Sequence, residues 1–137
     1  MNWNNPSDKQ IAALLDGAKT IAVYGCSPKP DRTSYRITQF LIEQGYRVYP
    51  VHPKAETILG QKVYADLASI PEHVDIVNVF RRAEFTPEVA RQAADIGAGT
   101  LWLQLGIMNE ESWAIAKRGG LYCVMDRCIA VMYRLLH

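Results

Sequence analysis

Residues 20–53 read TIAVYGCSPKPDRTSYRITQFLIEQGYRVYPVHP, and the fold is decided there. Thr20 to Tyr24 is a β-branched and aromatic run closing at Gly25, the chemistry of a strand. Cys26 to Thr33 is polar and interrupted by Pro28 and Pro30, so it reads as a loop. From Ser34, apolar side chains at Ile37, Phe40, Leu41 and Ile42 recur at helical spacing until Gly45 supplies a stop, after which Tyr46 to Val51 resumes strand chemistry. Strand, loop, helix and strand in this order make the crossover unit of a parallel sheet.

The same pattern extends outward. Upstream, Ser7 to Gln10 reads as a capping box ahead of a short helix with Ile11, Leu14 and Leu15 on one stripe, stopping at Gly17. Downstream, Val74 to Phe80, Thr100 to Leu105 and Leu121 to Met125 read as strands. Thr86 is expected to cap a helix with Pro87 at its first position, Asn109 to open another, and Asp126 to cap the last. VDIVNVF and TLWLQL are apolar nearly throughout, which burial on both faces by crossover helices requires. These patterns predict an α/β, Rossmann-like, doubly wound three-layer sandwich with about five parallel strands. Pro53 to Glu72 is the longest irregular stretch, with room for a short helix near Leu67. No repeat, low-complexity segment or linker interrupts the chain, so residues 1–137 are expected to form one domain.

Bulk properties exclude several function classes. A formal net charge of +1 over 137 residues gives no long-range field for duplex nucleic acid or an anionic membrane surface. Met1 to Gln10 is polar, and no apolar run approaches the ~20 residues of a membrane span, so a cytoplasmic location is expected. Cys26, Cys123 and Cys128 are odd in number and lack CxxC or Cys/His spacing, which argues against a disulfide framework or structural zinc. His52 and His73 are isolated and His137 is terminal, so no metal site is expected. Cys26 has no histidine placed to act as its base, and a buried thiol is the favoured reading over a nucleophile. Met132 and Tyr133 read as core or partner-facing, and no catalytic residue is assigned.

Ligands of open α/β sheets bind outside the carboxyl ends of the strands, so the loops after Gly25, Val51, Phe80, Leu105 and Met125 matter most. Gly25, Cys26 and Ser27 permit close backbone approach and offer a hydroxyl, while the helix behind them supplies free amides for a phosphate. Arg32 and Arg36 lie at the start of that helix, where the macrodipole disfavours a cation unless an anion offsets it, and Lys29 adds a third charge. The turn holds one glycine rather than GxGxxG, and the second strand ends Tyr49-Pro50-Val51-His52-Pro53-Lys54 without a carboxylate. NAD is therefore disfavoured, whereas NADP and coenzyme A, whose ribose carries a phosphate, are not. Phe80, Arg81 and Arg82 place a ring and two guanidiniums after the third strand, suited to phosphate recognition and adenine stacking. Gln104 needs a partner at the end of a buried strand, with the ligand and the backbone both open, and Gly106 and Ile107 are placed to form a close, apolar wall against a ligand.

On these residues the sequence resembles the CoA-binding protein family, whose fold is that of the nucleotide-binding amino-terminal domain of the succinyl-CoA synthetase alpha subunit. The matching stretches are IAVYGCSPKPDRTSYRITQFLIEQGYRVYPVHP, VDIVNVFRRAEFTPEVA, TLWLQLGI and VMDRC. The resemblance implies that Gly25 to Lys29, with Arg32 and Tyr35, hold the phosphates of coenzyme A. It implies further that Pro50 to Pro53, Phe80 to Arg82 and Gln104 to Ile107 line the adenosine and pantetheine path. The ligase's second domain, with its phosphorylated histidine, has no counterpart in this length, so ligase activity is not carried over. The last helix, CIAVMYRLL, lacks the acidic residue that the family commonly has near Met132.

The leading expectation is a domain that binds coenzyme A or an acyl-CoA without chemistry of its own, as a binding or regulatory unit. One alternative is an NADP-dependent oxidoreductase, for which so short a chain leaves little room for a substrate pocket. The other is an interaction module with a vestigial nucleotide loop, which would bind a protein partner and no small molecule. A homodimer is compatible with so small a domain, but the sequence does not reveal an interface.

Overall fold

The computed structural model describes residues 3–137; Met1 and Asn2, which begin the polar amino-terminal stretch, lie outside the described residues. Five strands carry the sheet: β1 (Thr20–Tyr24), β2 (Arg47–Val51), β5 (Ile76–Val79), β6 (Thr100–Leu103) and β7 (Tyr122–Val124). They lie in the order β2-β1-β5-β6-β7, and every neighbouring pair is parallel. A separate two-stranded antiparallel hairpin, β3 (Thr57–Ile58) and β4 (Gln61–Lys62), sits in the long connection from β2 to β5. A turn of 3-10 helix at Leu67–Ser69 follows it, as expected near Leu67. The hairpin departs from the expectation of an irregular stretch: its strands are two residues long and turn through Leu59, whose φ of +52° is unusual for a leucine.

Five α-helices complete the three layers: α1 (Asp8–Gly17), α2 (Thr33–Glu43), α3 (Thr86–Asp95), α4 (Glu110–Arg118) and α5 (Ile129–Leu136). The strand alternation assigns them to faces. Ala22, Val77, Val79, Leu101, Leu103 and Cys123 meet Val89, Ala90 and Ala93 of α3 and Ile115 and Ala116 of α4 on one side. Ile21, Val23, Ile76, Trp102 and Val124 meet Ile11 and Leu15 of α1, Ile37 and Leu41 of α2, and Ile129 of α5 on the other. Trp102 is fully buried, and its indole N–H donates to the carbonyl of Arg127 at 2.8 Å, so the bulkiest core side chain leaves no donor unpaired.

Side-chain caps form at Ser7 and Asn109 as expected. The Ser7 hydroxyl accepts from the Gln10 amide at 3.2 Å, and the Asn109 side chain accepts from the Ser112 amide at 2.8 Å. The two other expected caps differ. Thr86 is the first residue of α3 rather than its cap, and its hydroxyl donates to the Ala83 carbonyl at 2.7 Å. Asp126 stands two residues before the cap of α5, at φ +58°, and its carboxylate accepts from the Gly106 amide at 2.7 Å. A short side chain that tolerates the left-handed region thus links two loops instead of starting a helix.

Side chains join the strand starts and cover the edge beyond β7, and backbone covers the edge beyond β2. Asp75 accepts from the Lys19 amide at 2.7 Å and the Thr20 amide at 3.2 Å, joining the starts of β1 and β5. Asn5 holds the outer edge beyond β7: its amide group donates to the Met125 carbonyl and accepts from the Met125 amide, both at 2.8 Å. At the opposite edge, the Tyr64 amide donates to the Pro50 carbonyl and the His52 amide to the Tyr64 carbonyl, both at 3.0 Å.

Candidate functional site

Strand order reverses between β1 and β5, because β2 lies on one side of β1 and all later strands of the sheet on the other. At the carboxyl ends of these three strands opens a cavity of about 770 Å³. This is where an open α/β sheet leaves a crevice, since successive crossovers diverge to opposite sides. Tyr24, Gly25 and Ser27 come from the end of β1, Arg32, Thr33 and Ser34 from the start of α2, and Val51, His52 and Pro53 from the end of β2. Phe80 and Arg81 follow β5, and Ala65 closes the side nearest the hairpin.

Local hydrogen bonds fix the first loop. The amides of Gly25 and Cys26 both donate to the Val51 carbonyl, at 3.0 and 3.3 Å, so the chain leaves β1 bound to β2. The Ser27 amide donates to the Ser34 hydroxyl at 2.9 Å, and the Lys29 amide to the Ser27 hydroxyl at 3.1 Å. These loop amides are therefore engaged within the protein. The first amides of α2 have no intrahelical acceptor, and Thr33 and Ser34 line the cavity at that helix end. Gly25 has φ +84°, and a Cβ there would fall well inside contact distance of the Phe80 carbonyl oxygen. Glycine is required for the two strand ends to pass one another.

The cavity is cationic by composition. Arg32 and Arg81 line it, and no carboxylate among the described residues does. Arg81 lies 4.7 Å over the Phe85 ring, a contact that holds its guanidinium without neutralising it. A smaller cavity of about 410 Å³ adjoins, sharing Tyr24 and Arg81 and reaching Glu84, Glu88 and Glu111. There Arg91 lies 3.2 Å from Glu88 and 3.1 Å from Glu111.

Of the candidate residues predicted from the sequence, Gly25, Ser27, Arg32, His52, Pro53, Phe80 and Arg81 meet in the larger cavity. Cys26 does not line it: the thiol is buried, lies 3.2 Å from the Thr38 hydroxyl, and is pushed up in pKa by burial, its hydrogen bond with Thr38 opposing. Arg36 turns back to donate to the Asp31 carbonyl at 2.9 Å, and Lys29 and Arg82 are exposed outside the lining. Tyr35 packs partly against the α2 side of the core, and Pro50 is buried within β2.

Gln104, Gly106 and Ile107 lie away from the cavity, and internal partners account for them. The Gln104 side-chain oxygen accepts from Asn78 at 3.0 Å and from the Ile129 amide at 2.9 Å. Gly106 is bound to Asp126, and the Ile107 carbonyl accepts from the Asp126 amide at 3.1 Å. The loops after β6 and β7 are thus tied to each other and to α5. Val51, within the predicted Pro50 to Pro53 segment, lines the cavity, and so do Tyr24, Thr33, Ser34 and Ala65, beyond the candidates that the sequence predicts. Thr33 and Ser34 have a legible signal, as hydroxyls at the start of a helix behind a glycine turn; Ala65 has none, since nothing in the sequence reveals the hairpin that presents it.

The family model described as CoA binding domain matches residues 19–134. An uncharacterized protein of Bacillus subtilis, YneT, is 40% identical over 129 residues, spanning 94% of this chain and 96% of that protein. The alpha subunit of ADP-forming acetate–CoA ligase I from Pyrococcus furiosus is 38% identical over 89 residues, which are 61% of this chain but only 19% of the subunit. Among solved structures, a hypothetical protein from Pyrococcus horikoshii superposes with a TM-score of 0.92 at 36% identity, covering 99% of each chain.

Proposed function

The chain belongs to the CoA binding domain family, and from that premise we propose that it binds coenzyme A or an acyl-CoA in the 770 Å³ cavity. The observation that carries the reading is a crevice at the point of strand reversal, free of carboxylates among the described residues, with two guanidiniums and an open helix end facing it. The diphosphate sits at the first amides of α2 between Arg32 and Arg81, where helix dipole and cations act together. The adenosine end lies against Val51, His52 and Pro53, beside Phe80.

The domain acts as a binding or regulatory unit rather than a catalyst. The cysteine of the first loop, Cys26, is turned into the core and held as a thiol by burial. The acetate–CoA ligase activity of the Pyrococcus furiosus subunit belongs to a far longer chain, of which the match covers 19%, and does not extend to this domain. A cytoplasmic location belongs to the same reading; no helix among the described residues is long and apolar enough to cross a membrane.

Calorimetric titration with coenzyme A beside NADP, NAD and ADP tests the reading. Selective coenzyme A binding, weakened about tenfold by Arg32→Ala and less by Lys29→Ala, is expected when one charge-assisted hydrogen bond to phosphate is removed. Preference for NADP would move the assignment to the oxidoreductase class, and no binding of any nucleotide would sink the proposal in favour of a protein-binding module.

A further inference from the structure

His52 follows β2 directly, at the position where dinucleotide-binding sheets place a carboxylate that accepts from the free ribose hydroxyls. Here the ring Nδ1 accepts from two backbone amides, Lys54 at 3.1 Å and Ala55 at 2.9 Å. A ring nitrogen that accepts two N–H bonds carries no proton, so the neutral imidazole holds its proton on Nε2. His52 lines the cavity, and with Nδ1 turned to its own backbone, the part of the ring left to meet a ligand carries that Nε2–H.

The chemistry of the position is therefore inverted. A carboxylate accepts, and suits a ribose with both hydroxyls free. A fixed N–H donates, and its best partner is an acceptor bearing charge, such as a phosphate oxygen. Among the described residues, no carboxylate in the lining opposes such an anion. We propose that His52 is a specificity-determining residue that reads the ribose phosphate of coenzyme A as a neutral Nε2–H donor, so that the protein distinguishes coenzyme A from its 3′-dephospho form. The inference rests on the coenzyme A reading of the cavity and goes beyond it by naming the ligand group and the protein atom that meet.

Three proteins and two ligands test it. The parent is expected to bind coenzyme A about tenfold more tightly than 3′-dephospho-coenzyme A, the scale of one hydrogen bond to a charged acceptor. His52→Asn keeps an acceptor for the Lys54 and Ala55 amides but lacks the Nε2 donor. It should lose most of the preference for coenzyme A over dephospho-coenzyme A, so the ratio of the two affinities is the readout rather than either affinity alone. His52→Gln reaches an amide N–H to the Nε2 position and should retain the preference even if the turn is weakened. Nitrogen NMR of the ring should report the Nε2–H tautomer before ligand is added and a shift of Nε2 on adding coenzyme A.

A preference that survives in His52→Asn, or that falls instead in Lys54→Ala, would overturn the assignment while leaving coenzyme A binding intact. An Nδ1–H tautomer in the free protein would overturn it whether or not any nucleotide binds. Failure of the parent to bind either coenzyme is a different result, because it removes the coenzyme A reading itself and this inference with it.

Discussion

The two ends of the parallel sheet have been given opposite tasks. At the amino-terminal end, carboxylates meet backbone and cations within the molecule. Burial opposes ionisation of Asp75, yet the amides of Lys19 and Thr20 and the Thr20 hydroxyl hold its carboxyl below the usual range. Beside it, hydrogen bonds from Arg47 and Tyr49 hold Glu72 down to about 2. At the carboxyl-terminal end above β2, β1 and β5, guanidiniums and helix amides face a cavity that no carboxylate among the described residues lines. Self-satisfied polar groups fix strand register; groups left open to a crevice serve a ligand. The same sheet supplies both because all its strands point one way.

The largest expected effect falls on the open end. Gly25→Ala forces a side chain against the Phe80 carbonyl at a positive φ. It should cost about 3 kcal/mol of stability, from left-handed strain plus the clash, and weaken coenzyme A at least ~100-fold. Binding within threefold of the parent would show that the two strand ends need not cross so closely. Gly99→Ala is the counterpart at the closed end, where a Cβ would lie 2.8 Å from the Asp75 carbonyl oxygen. It should lower the melting temperature and leave coenzyme A affinity unchanged.

Asp75→Ala comes next, leaving the Lys19 and Thr20 amides without their side-chain partner. A loss of about 2 kcal/mol in denaturant unfolding is expected, again without change in affinity. Any fall in affinity would mean that the two ends are coupled. Arg81→Ala should do the reverse, with affinity down about tenfold, near 1.4 kcal/mol, and little change in stability, since the stacking of its guanidinium on Phe85 is a weak interaction. The smallest effect is on pH dependence. Because the folded-state pKa of Glu72 is depressed to about 2, its contribution is present above the ordinary glutamate range and fades as the pH falls toward 2. Glu72→Gln should flatten the acid limb of the stability curve between about pH 4.5 and 2, being less stable than the parent at neutral pH and converging with it near pH 2.

The sheet is legible in the sequence because its strands are apolar on both faces, and Thr20–Tyr24 appears with the bounds its composition suggests. The apolar runs Val74 to Phe80 and Thr100 to Leu105 form shorter strands than their composition suggests, Ile76–Val79 and Thr100–Leu103, although the flanking Asp75, Phe80 and Gln104 amides still donate to carbonyls of the neighbouring strands. The first loop and the residues after β2 and β5 are legible as ligand-facing because their position follows from topology alone. Gln104 is not resolved by such reasoning: a polar residue ending a buried strand looks the same whether its partner is a ligand or, as here, Asn78 and the Ile129 amide. Asp126 reads as a cap by propensity, whereas a loop-to-loop bond and a left-handed backbone determine its place. Both are long-range pairings, and the patterns of one sequence carry only short-range ones.

The Asn5 side chain, by pairing with both polar groups of Met125, imitates one rung of a neighbouring strand at the rim beyond β7. The Tyr64 segment does the same for β2 with backbone. Each rim is thus partly occupied where another molecule's strand would have to dock, which guards a short, strongly apolar sheet against fibrous polymerisation.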